Sequence, residues 1–407
     1  MKKVFKAYIN SPLILRIAIG LVIGISLGLW VPKASFVSVF GSIFVGALKA
    51  IAPILVFVLV ISSLANAGKG LGSRFKTVVF FYMLSTFLAA VAAVVGSYIF
   101  KVTIPLSSTV DKTAPEGLGE VFKNLLTNMV QNPVTAIMTA NYVGILTWAI
   151  ILGLALRIGA SDRTKEVFTD ISDGVSKTVG WVIQIAPFGI MGLVFDSISE
   201  YGIEIFTDYG KVLALLVGCM LVVALVVDPF IVAITLKRNP YPLVFRCFKE
   251  SGITAFFTRS SAANIPVNMK LCENLGLDRE YYSVAIPLGA TINMDGAAIT
   301  ITVMALSAAF SQGIEVNIVL ALILSLVATL GACGASGVAG GSLLLIPMAC
   351  SLLGIGQDIA MQVVAVGFII GVVQDSLETA INSSGDVIFC ATAEFKEWLK
   401  KGKKLPF

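Results

Sequence analysis

The 407-residue chain has no histidine, and charged residues make up only 13% of it, against roughly 25% in soluble domains. Its six cysteines, Cys219, Cys247, Cys272, Cys333, Cys350 and Cys390, stand singly with no CxxC pair. These scarcities argue against a zinc or haem centre and against a histidine proton relay. No phosphate-binding loop of the Walker type occurs, which argues against ATP as the energy source. Also missing is the alternation of apolar and polar residues that marks a transmembrane barrel.

What the chain does have is apolar sequence, 57% of its residues being hydrophobic. Runs over residues 36–64, 77–100, 143–156 and 212–236 are of the length needed to cross about 30 Å of hydrocarbon as helices. An all-α polytopic membrane protein follows. The run 17–30 lies behind Lys2, Lys3 and Lys6 and has the outline of a secretory signal. With Lys33 just after it and no small-x-small cleavage site, it reads as a retained first helix.

Basic residues set the expected topology. With the N-terminus cytoplasmic, successive crossings place Lys69, Arg74 and Lys76 inside, then Arg157, Arg163 and Lys165, then Lys237, Arg238, Arg246 and Lys249. Alternate loops carry Glu200, Glu204 and Asp208. The tail, residues 393–407 with Lys396, Lys400, Lys401, Lys403 and Lys404, should also be cytoplasmic, which constrains the parity of crossings in the second half. Two segments there are poor spans. Residues 244–270 carry five charges and break near Thr258-Arg259-Ser260-Ser261. Residues 318–353 break at a glycine-rich run over 331–342, too glycine-rich for stable helix interior. If both are re-entrant hairpins, one from each side, parity is kept. An amphipathic surface segment for 244–270 and two short crossings for 318–353 keep it as well. Chemistry favours hairpins, because non-helical backbone at membrane depth survives only where it is buried or lines a cavity, and there it offers free carbonyls and N–H groups to a ligand.

The informative residues are acids inside apolar sequence, since ionisable groups at membrane depth usually mark a substrate or ion path. Over 363–391, Asp375, Thr379, Asn382 and Asp386 are spaced by four, three and four residues and so share an arc of roughly 60° on one helix face. A purely structural polar seam would explain the face but not its acids, which have no basic residue in the same segment. Asn293 and Asp295 are two residues apart and would point about 200° away from each other on a regular helix. For both to serve one site, the helix must unwind between Gly289 and Gly296, freeing carbonyls that together with carboxylate and amide oxygens suit a hard cation. The expected fuel is therefore an ion gradient. One cation falling through 100 mV yields about 2.3 kcal/mol, and a tenfold gradient adds about 1.4 kcal/mol.

At these residues the chain resembles the dicarboxylate/amino acid:cation symporter family, with the glutamate-transporter fold. Arg259-Ser260-Ser261 resembles the serine-rich tip of that family's first hairpin, Asn293-Met294-Asp295-Gly296 its unwound seventh helix, and the stretch from Asp375 to Asp386 its eighth helix. Gly337-Val338-Ala339-Gly340-Gly341 resembles the second tip, with Ala339 where a proline is common. Likeness is strong over 244–392 and weaker upstream, at Asn132-Pro133, Ala149-Ile150-Ile151-Leu152-Gly153 and Ala186-Pro187-Phe188-Gly189.

The resemblance implies eight transmembrane helices with two re-entrant hairpins, about 244–270 and 318–353, in a homotrimer in the bacterial inner membrane. It implies a static scaffold (about 10–68 and 105–200) and a transport unit (about 74–102 and 205–392) that moves like an elevator. Asp375 resembles the acceptor of a substrate's α-ammonium; Asn382 and Ser261 resemble partners of its carboxylate, the backbone at Val338 and Gly340 closes over it, and Ser260 and Thr379 belong to the same substrate pocket. Tyr82, Ser85, Thr86, Gly289, Thr291, Asn293, Met294, Asp295, Asn382 and Asp386 resemble sodium ligands. No organic cofactor, nucleic acid or enzymatic activity is implied.

Two departures matter. Where members carrying acidic amino acids have an arginine in the eighth helix, this chain has Glu378; where they have a threonine after the NMDG glycine, it has Ala297. A buried acid repels a substrate carboxylate but accepts a hydrogen bond from a hydroxyl. The pattern is most like the serine/threonine:sodium branch, and the expected cargo is a small neutral amino acid, serine or threonine. Carriage of acidic amino acids or dicarboxylates with sodium or protons, and a cation channel, are the alternatives. A channel has no use for the zwitterion-shaped set of Asp375, Asn382 and Ser261.

Overall fold

Apolar sequence of this length has one way to satisfy its backbone away from water, which is to hydrogen-bond within helices. The computed structural model describes residues 11, 13–66, 72–106, 126–202, 204–333, 335 and 340–406, and among them there is no strand. The main helices are α1 (Leu13–Trp30), α2 (Ser38–Asn66), α3 (Gly72–Phe100), α4 (Tyr142–Gly159), α5 (Asp162–Gln184), α6 (Ala186–Tyr201), α7 (Ile205–Val222) and α8 (Asp228–Leu236). They are followed by α9 (Tyr241–Cys247), α10 (Ile253–Thr258), α11 (Ser261–Asn274), α12 (Arg279–Ile292), α13 (Asp295–Ser311), α14 (Ile318–Ala332), α15 (Ile346–Leu352) and α16 (Gln357–Lys400).

Five stretches among the described residues are long and apolar enough to cross a membrane: Ser35–Asn66, Arg74–Phe100, Ile205–Leu236, Arg279–Ser311 and Gln357–Lys400. The pair α5 and α6, bent by 54°, passes the same test together. The protein is thus a multi-pass membrane protein. One of these stretches, Ile205–Leu236, runs through a π-helical turn, Val223–Val227, before Asp228 and Pro229.

Both suspect segments fold as helical hairpins. The first rises through α9, a π-turn at Phe248–Gly252 and α10. Arg259 in the left-handed region (φ 52°) and the extended Ser260 (φ −147°) reverse the chain, and α11 returns along it. The second rises through α14 and descends through a short 3-10 turn, Ser342–Leu345, and α15. Val338 and its neighbours 336–339 lie outside the described residues.

Helices α1, α2, α4, α5 and α6 pack chiefly on one another, whereas α3, α7 and the elements from the first hairpin onward gather around α13 and α16. The edge-to-face pair Phe44 and Phe368, with ring centroids 5.1 Å apart, joins the two groups. Helix α16 continues to Lys400, past residue 392 where the expected tail begins, with Phe395 fully buried. Its end is tied down by Arg74 on α3, which meets Asp278 at 3.0 Å and the buried Glu394 at 3.6 Å.

Candidate functional site

The face of α16 expected from spacing is buried: Asp375, Glu378, Thr379, Asn382 and Asp386 are each at most 6% exposed. Asp375 is where the two hairpin tips meet. Its Oδ2 accepts a hydrogen bond from Arg259 Nε at 2.6 Å, and its Oδ1 accepts one from the Gly340 backbone N–H at 3.0 Å. Arg259 belongs to the tip motif but is not among the residues expected in the site. The available signal was that a guanidinium at the apex of a membrane hairpin needs a counter-charge. A cavity beside this ion pair is walled by Ile17 and Ile190 from one helix group and by Leu343 and Phe368 from the other.

One turn further along α16, Glu378 is pinned by protein donors. Its Oε2 accepts hydrogen bonds from Thr300 Oγ1 at 2.8 Å, Ser342 Oγ at 2.8 Å and Gln374 Nε2 at 2.5 Å. No cation pairs with it among the described residues. Gln374 also donates to Thr300 at 2.7 Å, closing the cluster. The sequence reading missed all three donors. Gln374 was the legible one, because it sits four residues before Glu378 on the same helix face. Close approach of α13 makes the cluster feasible, since a Cβ at Gly296 would lie 2.7 Å from the Glu378 Cα.

The helix does unwind where the Asn293 and Asp295 spacing required it: Asn293 (φ −92°, ψ 84°) and Met294 (φ −124°, ψ 51°) separate α12 from α13. The break turns both side chains toward α3. Asp295 Oδ1 accepts from Ser85 Oγ at 3.0 Å and Thr86 Oγ1 at 2.9 Å, while the Asn293 Oδ1 lies 3.1 Å from the same Ser85 hydroxyl. Asn293 Nδ2 donates to the Asn382 carbonyl at 3.0 Å and to Asp386 Oδ1 at 3.2 Å. Asn382 Oδ1 accepts from the Gly296 N–H at 2.8 Å, so that amide braces the break. Tyr82 donates to the Asp386 carbonyl at 3.0 Å.

Other expected residues are engaged with backbone. Ser260 caps α11 by accepting from the Ala263 N–H at 3.2 Å; Thr379 donates to the Asp375 carbonyl and Thr291 to that of Leu288, each at 2.7 Å. Ser261 is buried at the tip. Behind Asp386 lies a polar lattice the sequence reading missed. Asn268 Nδ2 donates to Ser383 Oγ at 3.0 Å and reaches Asp386 Oδ2 at 3.4 Å, and Asn264 Nδ2 donates to Ser251 Oγ at 2.9 Å.

The chemistry of this donor set fits a hard cation. Acceptors outnumber protons: the single hydroxyl proton of Ser85 is within reach of the Tyr82 carbonyl, Asn293 Oδ1 and Asp295 Oδ1. Asp295 Oδ2 is buried with no hydrogen-bond partner among the described residues. A Cβ at Gly289 would fall 2.8 Å from Asp386 Oδ1 and 2.9 Å from the Tyr82 hydroxyl, so the glycine leaves a cradle walled by oxygens. Carboxylate, amide and hydroxyl oxygens of this kind suit sodium better than any soft metal.

Comparison with known proteins agrees with the geometry. The profile of the sodium:dicarboxylate symporter family matches residues 13–394. Over 400 residues the chain is 58% identical to the serine/threonine transporter SstT of Bifidobacterium adolescentis, covering 98% of this chain and 93% of that one. The proteins of the same name from Streptococcus thermophilus and Streptococcus agalactiae are 54% and 57% identical over 402 and 403 residues, covering 98% of this chain and all of theirs. With paired hairpin tips, an unwound oxygen-lined helix and this similarity along its length, the chain is a membrane transporter, not an enzyme, and belongs to the sodium:dicarboxylate symporter family.

Proposed function

We propose that the protein is a sodium-coupled symporter importing serine and threonine across the bacterial inner membrane with both termini cytoplasmic. The observation that carries the choice of substrate is Glu378, a buried carboxylate one turn from Asp375 with hydroxyl and amide donors and, among the described residues, no cation around it. A substrate side chain bearing a second carboxylate would meet repulsion there, whereas a hydroxyl finds an acceptor. The family's own name includes dicarboxylates, so Glu378 is the residue that turns this chain from them. The names of the similar transporters support the same reading.

In the mechanism, the ammonium of the zwitterion takes the place of the Arg259 guanidinium on Asp375, and Ser261 with Asn382 receives its carboxylate. Sodium held by Asn293, Asp295 and Asp386, with Tyr82, Ser85 and Thr86, stiffens the break whose Gly296 N–H holds Asn382. Ion and substrate are thereby coupled through one side chain. The group around α13 and α16 moves as the transport unit against the group around α2 and α6, in a homotrimer.

The test is uptake of labelled serine into proteoliposomes with and without an imposed sodium gradient, with unlabelled threonine and aspartate as competitors. Uptake should need sodium, and threonine alone should compete. Gradient-independent uptake would remove the coupling, and strong competition by aspartate would remove the assigned role of Glu378.

A further inference from the structure

Asp228 is the acid that the site just described does not use. It is fully buried, and neither carboxylate oxygen has a hydrogen-bond partner among the described residues. A structural aspartate at this depth should be hydrogen-bonded or ion-paired. Another buried acid, Asp295, lies within electrostatic reach of it.

Register places the two together. Cys219 on α7 lies against the Ala92 carbonyl, at 4.0 Å, and the Gly96 position of α3. Further along, Ile231, Val232 and Leu236 share a core with Phe75, Val78, Phe81 and Tyr82, so the helices run antiparallel. At 1.5 Å per residue on both helices, the residue nine beyond Cys219 faces the level of Ser85 and Thr86. Those are the hydroxyls that hold one oxygen of Asp295, whose other oxygen is unpartnered.

The backbone adds a ligand. In the π-turn, the Asp228 N–H donates to the Val223 carbonyl. Pro229, the next residue, has no N–H to give. The Ala224 carbonyl therefore has neither its fourth nor its fifth following residue as a donor, and it points along the axis toward Asp228. π-Turns inside longer helices recur at functional positions for this reason.

We propose that Asp228, with the Ala224 carbonyl and the free oxygen of Asp295, binds a sodium ion between α3, α8 and the α12–α13 break. This rests on the sodium-coupled reading and adds a ligand from a helix outside the expected set. A cation between them would neutralise two acids that, among the described residues, share this depth with no basic partner.

The experiment uses purified full-length protein treated with a hydrophobic carbodiimide, with the adducts mapped by mass spectrometry, in sodium chloride and in choline chloride. Sodium should protect Asp228 from labelling, and choline should not. Asp228→Asn in proteoliposomes should raise the half-saturating sodium concentration for serine uptake about tenfold, the loss of roughly one charged ligand, whereas Asp228→Glu should retain most of the affinity. Combined with Asp295→Asn, the effect should be less than additive, because the two share one ion. Equal labelling in both salts, or an Asp228→Asn variant with wild-type sodium dependence, overturns the site while leaving sodium coupling intact. Wild-type uptake indifferent to sodium overturns the coupling itself. Carbodiimide protection is read on the native protein, so a variant that fails to fold does not decide the matter.

Discussion

Glu378 and Asp295 are both acids buried where α13 meets its neighbours, yet their surroundings are opposite. Around Glu378 the protein supplies three donors to one oxygen, and two of them, Gln374 and Thr300, are bonded to each other. Around Asp295 two hydroxyls serve one oxygen and, among the described residues, no donor serves the other. An acid whose donors are protein groups forms a fixed wall, and an acid short of donors is completed by a ligand that arrives from outside. Burial is alike at the two places; what differs is the supply of protons.

The largest effect should come where the contrast is sharpest, at Asp375. Asp375→Ala leaves the Arg259 guanidinium buried without its carboxylate, and breaking a buried pair costs about 3–5 kcal/mol. Serine binding measured by calorimetry should vanish; binding within threefold of wild type would separate Asp375 from the substrate. Next are Asp295→Asn and Asp386→Asn, each removing a charged oxygen while keeping size. The half-saturating sodium concentration should rise at least about tenfold with serine affinity at saturating sodium largely kept. If serine affinity collapses and sodium dependence stays, the two ends of the site have been assigned the wrong way round.

Glu378→Gln should have an intermediate effect. It removes the charge that repels a second carboxylate and gives the surrounding donors a weaker acceptor, costing about 1.5–3 kcal/mol. Serine KM should rise about tenfold or more, and aspartate should begin to compete, more so when Ala297→Thr restores the relatives' hydroxyl. Glu378→Arg, the substitution that mimics carriers of acidic substrates, takes the acceptor from Ser342 and leaves Thr300 and Gln374 only the Gly296 carbonyl and the Thr300 hydroxyl, so folding must be checked by size exclusion first. A smaller change is expected for Gln374→Leu, a severalfold rise in serine KM from the loss of about 1 kcal/mol of positioning, with sodium dependence untouched. Smallest is Arg74→Ala at the far end of α16. It should lower the melting temperature by a few degrees and leave both half-saturation constants unchanged.

The acidic face of α16 and the need for a break at Asn293 and Met294 were legible because helical geometry fixes direction from spacing alone. The chain breaks near Arg259 and in the glycine-rich run before Gly340 were legible because charges and glycines sit poorly in a spanning helix. Arg259 against Asp375, the three donors of Glu378 and the asparagines behind Asp386 were not, because each joins segments far apart in the chain, and spacing within one segment says nothing about a partner in another.

By itself, then, the sequence determined that the chain is helical and lives in a membrane, and which residues share a helix face, since those follow from hydrophobicity and the period of 3.6. Only the tertiary structure decided which acids are satisfied. Whether a buried carboxylate is a wall or a ligand depends on how many protons its neighbours bring to within hydrogen-bonding distance, and those neighbours come from other helices.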